Sequence, residues 1–312
     1  MSQKVPGTLR FLRYQVPSEF ELKEKKMKTK LAIILAGLML MTASNAFARN
    51  ITVKGSDTIV TMGQRWAEEY MKLHPKTSIQ VTGGGSGVGI AALINGTTDL
   101  ADASRAIKEK EIDKAKSAGY YPAEFKVAID SLAIVVYKDN PVQTLTLKQI
   151  AGIYTGKINN WAEVGGKEQQ IIRYCRESSS GTYQFVKENI LKNQDYAADC
   201  QTMPGTSAIT NAVTKDPAAI GFGGVGYFAG QAGLKIISIK NDDKSEAINP
   251  LRADGTVDYE AAWSKRYPIW RYLYIYAGFK PKGEIKDYLD WIMSPDGQKV
   301  VEKEGFIPLP AK

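Results

Sequence analysis

From residue 51 onward, two rhythms of apolar residues alternate along the chain. Short runs with β-branched residues fall at 51–53, 79–81, 171–172 and 220–222, and Asp99 to Ala103 is a further short run between them. Between them, apolar residues recur every three or four positions: Ile59, Met62, Trp66, Tyr70 and Leu73, then Ile90, Leu93 and Ile94, then Tyr183, Val186 and Ile190. The first rhythm predicts strands and the second predicts helices with one apolar face. His74-Pro75 closes the first helix and Asn95-Gly96 the second. Further helices are expected over 108–116, from Thr146, and near 209–213. Two more are expected at the end, one carrying Ile285, Leu289 and Ile292 and one started by Ser294-Pro295. Two apolar runs are longer, at 127–137 (VAIDSLAIVVY) and 268–277 (PIWRYLYIYA). They are read as strands crossing out to a second lobe and back. Strands alternating with helices indicate βαβ units and mainly parallel sheets, hence an α/β fold.

Composition bears this out in scale, since 312 residues with 44% hydrophobic content suffice for two α/β domains. A net charge of +8 would suggest a nucleic-acid or membrane partner. That inference fails once the N-terminus is set aside. Residues 1–48 carry eight Lys/Arg against three Asp/Glu, and the remainder is close to neutral. Met27-Lys28-Thr29-Lys30, the apolar run 31–41 and Ala46-Phe47-Ala48 have the order of a secretory signal peptide over 27–48, cleaved near Ala48. The apolar run is too short for a transmembrane span. Residues 1–26 are expected to be an upstream extension, with translation starting at Met27. No Cys follows the apolar run, so a soluble periplasmic protein is expected. In an oxidising compartment Cys175 and Cys200 are expected to pair, closing a loop that contributes roughly 3 kcal/mol in the chain-entropy model. Two unpaired buried thiols are the alternative.

Candidate chemistry concentrates in three loops of one construction, a strand, a Gly/Ser/Thr-rich turn and a helix start. They are Gly55-Ser56-Asp57-Thr58, Gly85-Ser86-Gly87 and Ser180-Gly181-Thr182. Helix starts present backbone N–H groups without intrahelical partners and favour an anion. Arg176 adds a planar cation able to hold an oxyanion through two parallel hydrogen bonds. Ser104-Arg105 follows the third strand, and Arg105 reads either as a second ligand cation or as an interdomain ion pair. Two carboxylates near an anion site call for explanation. Asp57 reads as the acceptor of a proton carried by the anion or as a helix cap. Glu177 reads as the same acceptor or as the partner of Arg176. The glycine run lacks the Gly-Lys-Ser/Thr ending of a P-loop and the spacing of G-x-G-x-x-G. The single His74 precedes Pro75, no metal-binding cluster is evident, and Ser180 has no His-Asp partners, so an enzyme is not expected.

Together these motifs resemble the phosphate-binding proteins of bacterial ABC phosphate transporters, over essentially all of 51–309. Lys54-Gly55-Ser56-Asp57-Thr58 is similar to that family's first phosphate loop, and Gly83-Gly84-Gly85-Ser86-Gly87 to its glycine-serine loop. Arg176 through Thr182 is similar to its Arg-x-x-x-Ser-Gly-Thr loop. The turn from Ile153 to Trp161 and the segment Ser294-Pro295-x-Gly297-Gln298 are also shared. The resemblance implies a type II periplasmic binding protein: two α/β lobes, 49–135 plus 270–312 and 136–269, joined by two crossover strands with the ligand in the cleft. It implies that Ser56, Asp57, Thr58, Ser86, Arg176, Ser180, Gly181 and Thr182 line the phosphate. Where some members place an Asp that accepts the phosphate proton, this chain has Ser104 with Arg105 next. Either Asp57 takes that role or discrimination against sulfate is weaker, with Asp102 an outside candidate. The expected function is a monomeric receptor that delivers inorganic phosphate to a membrane permease, without cofactor, metal or nucleic acid. The alternatives are another tetrahedral oxyanion as ligand, or a secreted phosphoester hydrolase using Ser180.

Overall fold

A computed structural model describes residues 50–310; the upstream segment, the expected signal peptide and the cleavage site at Ala48 lie outside them. In chain order its elements begin with β1 (Asn50–Gly55), α1 (Val60–Leu73), β2 (Ser78–Thr82), α2 (Ser86–Ile94), β3 (Leu100–Ala103), α3 (Glu109–Ser117) and β4 (Ala123–Tyr137). Then follow β5 (Thr144–Thr146), α4 (Leu147–Tyr154), β6 (Ile172–Arg176), α5 (Gly181–Asn189), β7 (Gln201–Met203), α6 (Thr206–Val213) and β8 (Ala219–Gly224). The chain closes with β9 (Leu234–Ile236), β10 (Ser238–Lys240), α7 (Tyr259–Trp263), β11 (Trp270–Ala277), α8 (Gly283–Ile292) and α9 (Pro295–Lys303).

β4 organises this arrangement. Up to Ser131 it pairs with β11, and from Leu132 it pairs with β8 and β9. One continuous sheet results, in the order β2-β1-β3-β11-β4-β8-β6-β7, with a separate β10-β5 pair. Its outer parts are parallel, as the βαβ pattern predicts. Its middle is not: β4 and β11 run antiparallel to each other and to their neighbours β8 and β3. The physical reason is that the chain leaves the first lobe along β4 and returns along β11. The two crossings therefore lie side by side in opposite directions and pair from Ala123 to Ser131, with a register shift between Leu273 and Tyr274.

The long apolar run of β4 lacks polar alternation because both of its faces are covered. Leu132, Ile134 and Val136 enter a second-lobe core with Ile150, Tyr154, Trp161, Val186 and Phe222. Ala133 and Val135 enter the opposite core with Ile209, Val213 and Phe228. In the first lobe, Ile59, Met62, Trp66 and Tyr70 pack with Leu273 and Ile275 of β11, as their helical spacing requires. Trp66 is fully buried and its Nε1 donates to the Gly297 carbonyl at 2.8 Å, tying α1 to α9. His74 ends α1, exposed and stacked on Tyr70 at 4.1 Å. Past α9 the chain itself passes behind the crossing, where Ile307 bridges Ile129.

Candidate functional site

The three Gly/Ser/Thr loops meet at the ends of β1, β2 and β6. After β1, the Ser56 N–H donates to the Asp102 carbonyl at 3.0 Å, and Ser56 Oγ accepts from the Thr58 N–H at 3.2 Å, which shapes the turn into α1. After β2, Gly85 has φ +96°, and a side chain there would meet the Ser179 carbonyl at 2.7 Å, so only glycine fits. This close approach lets the Gly87 N–H donate to that carbonyl at 2.9 Å. After β6, Ser180 caps α5 by accepting from the Tyr183 N–H at 3.3 Å. Gly181 then faces Ser86 and Ser104 so closely that a Cβ would lie 2.3 and 2.7 Å from their hydroxyls.

A cluster of hydroxyls results, shut off from solvent. Ser56, Thr58, Ser86, Ser104, Ser180 and Thr182 are all buried, each at most 2% exposed. Ser86 Oγ accepts from the Ser104 N–H at 3.0 Å, and Thr58 Oγ1 lies 2.8 Å from Thr182 Oγ1. Two helix starts, those of α2 and α5, meet at this cluster; the Gly87 and Tyr183 N–H groups are taken by Ser179 and Ser180, which leaves those of Ser86, Gly181 and Thr182.

Arg176, 1% exposed, stands at the end of β6 beside the cluster. Its Nη2 donates to Asp57 at 2.8 Å and to Glu177 at 2.7 Å, its Nε to Glu177 at 3.1 Å, and its Nη1 to Thr206 Oγ1 at 3.1 Å. The second oxygen of Asp57 accepts from the Gly84 N–H at 2.8 Å. Asp57 therefore links the first loop, the glycine run and the arginine, and it is not the cap of α1, whose N-cap is Ile59. Burial pushes the Glu177 carboxyl up, but the hydrogen bonds and charge of Arg176 outweigh burial and hold it below the usual carboxylate range.

Arg105 is directed elsewhere. Its guanidinium grips Glu111 in two hydrogen bonds of 2.7 and 2.8 Å, an ion pair within the first lobe rather than between lobes. Asp102 is buried on the α1 side of β3, against Gly63, with both carboxyl oxygens lacking a hydrogen-bond partner. Only its backbone carbonyl reaches the first loop. Burial pushes its carboxyl up to about 7. Cys175 and Cys200, which were expected to pair, stand as free cysteines in the structure. Strand pairing sets Cys175 opposite Thr202, two residues past Cys200. The two thiols consequently lie side by side, and the hydrogen bond from Cys200 holds the Cys175 thiol down. Among the described residues no group of three or more His, Cys, Asp or Glu is placed to hold a metal ion.

Sequence reasoning missed four residues of this region: Asp130, Thr206, Tyr227 and Arg271. Tyr227 donates to the Asp57 carbonyl at 2.7 Å. Arg271 is buried and its Nε and Nη2 donate to Asp130 at 2.9 and 2.8 Å. The signal was present, since each crossing run holds one charge among apolar residues and the two charges are opposite. A lone charge in a strand covered on both faces must find a partner. Nothing in the residue pattern marked Thr206 or Tyr227.

Comparison with known proteins extends this geometry. A model of the PBP superfamily domain matches residues 41–296. The chain is 29% identical over 321 residues to the phosphate-binding protein PstS of Pseudomonas aeruginosa, covering 93% of this chain and 97% of that one. It is 31% identical over 266 residues to PstS of Staphylococcus epidermidis, covering 83% and 78%. Among solved structures it is similar to a phosphate ABC transporter substrate-binding protein with bound phosphate from Clostridium perfringens, with TM-score 0.71 and 30% identity over 84% of this chain and all of that one. It is also similar to an ABC-type phosphate transport receptor from Vibrio cholerae, with TM-score 0.66 and 29% identity over 83% of this chain and all of that one.

Proposed function

The chain belongs to the PBP superfamily and, within it, to the phosphate-binding proteins of the PstS type, and from that premise we propose how its own residues bind. It is the substrate-binding protein of a phosphate ABC importer, a transport receptor rather than an enzyme. Inorganic phosphate enters between the lobes 49–135 plus 270–312 and 136–269 and makes contacts from both. Its affinity for the closed arrangement then shifts the population toward that form. The closed receptor, a periplasmic monomer released by cleavage near Ala48, presents itself to the membrane permease.

The observation that carries this reading is the buried hydroxyl cluster flanked by Arg176. Ser56, Thr58, Ser86 and Ser104 come from one lobe and Ser180, Gly181 and Thr182 from the other, with two helix starts pointing at the same place. Such a chamber replaces the hydration shell of a small anion with fixed donors, and Arg176 adds charge. Asp57 is the carboxylate placed to accept the proton of hydrogen phosphate, because it already sits on Arg176 at the first loop. A fully ionised anion such as sulfate would face that carboxylate without a proton to share. Arg105 is the member of the expected set that the geometry supports least, since Glu111 engages both of its Nη groups.

Calorimetry on the chain from Arg49, freed of phosphate and titrated with phosphate and then sulfate at neutral pH, tests the reading. One-to-one phosphate binding with no sulfate response is expected. Equal binding of both anions would mean a general oxyanion site and would remove the acceptor role from Asp57. Binding of neither would overturn the reading.

A further inference from the structure

The two strands that cross between the lobes carry one buried charge each, and the charges lie in register. Arg271 on β11 is the ladder partner of Asp130 on β4. Asp130 is fully buried and Arg271 is 4% exposed. One carboxyl oxygen of Asp130 accepts both the Nε and Nη2 donors of Arg271, and the other accepts the Val225 N–H of the second lobe at 3.2 Å. A pair held this way costs desolvation and is weak evidence for stability, so its other contacts indicate its use. Arg271 Nη1 donates to the Ser104 carbonyl at 3.0 Å, in the first lobe. Arg271 Nη2 donates to Thr182 Oγ1 at 3.0 Å, in the second.

The contact to Thr182 has a chemical consequence. A guanidinium has only donors, so Thr182 Oγ1 accepts from Arg271 and its own proton points away from the arginine. In that direction lies Thr58 Oγ1, at 2.8 Å across the cleft, and with it the hydroxyl cluster. Without Arg271 the Thr182 hydroxyl is free to turn and present a lone pair instead. In a water-poor site a hydroxyl facing an anion with its lone pair repels what it should hold. Arg271 and Arg176 are also near enough for their charges to oppose each other: burial lowers Arg271 from the usual guanidinium range, and the Arg176 charge adds to that.

We infer that Arg271, anchored by Asp130, is a positioning residue of the oxyanion site that fixes the Thr182 hydroxyl as a donor to the bound anion and couples both lobes to it. The inference rests on the phosphate reading above.

The test is a double-mutant cycle read by phosphate calorimetry, with thermal unfolding as a control for folding. Arg271→Gln alone would strand the Asp130 charge, so it is combined with Asp130→Asn, which keeps the pair neutral and hydrogen-bonding. Loss of charge-assisted orientation is expected to weaken phosphate binding about 10- to 100-fold. In a Thr182→Ala background the same pair of changes should cost no more than about 3-fold, because the hydroxyl it orients is gone. Arg271→Lys, which keeps charge but not the fork, should fall between. Equal losses in both backgrounds would show a role in structure alone and overturn the assignment. So would undiminished phosphate binding by the Arg271→Gln/Asp130→Asn chain. Absence of phosphate binding by the unsubstituted chain would instead overturn the phosphate reading, and this assignment with it.

Discussion

Arg176 and Asp57 lie 119 residues apart in the chain and on opposite sides of the cleft, yet the Nη2 of one is 2.8 Å from the Oδ2 of the other. An arginine already gripped by two carboxylates looks poorly suited to bind an anion. On the proposed reading the grip instead holds the fork rigid, so that the guanidinium would have no search to make when phosphate arrives. Replacing Arg176 by Ala removes that charge and strands Asp57 and Glu177 near the ligand. Four of the five N–H donors of Arg176 are already engaged, and one lost charged hydrogen bond, contributing about 1.5–3 kcal/mol, predicts a loss of about 10- to 100-fold in phosphate affinity. Calorimetry showing unchanged affinity for Arg176→Ala would remove the residue from the site.

Gly181 offers a test of closure separate from charge. A Cβ at this position would stand 2.3 Å from Ser86 Oγ and 2.7 Å from Ser104 Oγ. Both neighbours belong to the facing lobe, so the clash is relieved when the lobes part. Gly181→Ala is therefore expected to fold with a thermal midpoint within about 3 °C of the parent, on the scale of a surface change. Phosphate affinity should fall about 100-fold, because the bound form needs the approach that the methyl blocks. Small-angle scattering with saturating phosphate should show a larger radius of gyration than the parent. A variant that compacts normally on adding phosphate would contradict this geometry.

Much of the fold was legible because periodicity reports burial. Ile59, Met62, Trp66 and Tyr70 fell on one helical face and all are in the first-lobe core. The three loops that meet at the hydroxyl cluster were legible because glycine and serine between a strand and a helix have few other uses. The direction of the central strands was not legible. Val135 and Ile275 look alike whether their ladder is parallel or antiparallel, since side-chain alternation is the same in both. The short pieces β5, β7, β9, β10 and α7 were missed because three to five residues cannot display a period. Arg271 and Asp130 were missed for a different reason. Their opposite lone charges were visible, but their meaning lies in being partners, and the register that pairs strands 141 residues apart is not written in either one.

Lys108 reaches across the cleft mouth to Glu188 at 2.6 Å and to Gln184 at 3.1 Å. Glu188 is 40% exposed and Lys108 27%, so water screens the pair and its contribution is at most about 1 kcal/mol. Since the contact joins the two lobes, its loss should appear in binding rather than in folding. Lys108→Ala is expected to weaken phosphate binding by up to about 5-fold at low ionic strength. The difference from the parent should shrink toward zero in about 1 M salt, where charges are screened within about 3 Å. A loss that persists at high salt would mean that Lys108 acts on the ligand and not through Glu188.

Asp102 predicts how stability depends on pH. Its carboxyl is fully buried, neither oxygen has a partner, and burial pushes it up to about 7 from an ordinary value of 3.8. Between those values the folded chain keeps a proton that the unfolded chain has released. Stability therefore falls as pH rises through that window, and above about 7 the full cost of a buried charge is present. A shift of this size corresponds to a few kcal/mol, on the order of 1.4 per pH unit. Asp102→Asn removes the titration while keeping the shape. Its stability relative to the parent should be lowest near pH 4 and rise steadily to about pH 7, then level off. Denaturant unfolding of both chains from pH 4 to pH 8 reads this difference directly. A flat difference across the range would mean that Asp102 is charged and solvated in the folded protein. A difference sloping the other way would require a cationic partner for Asp102.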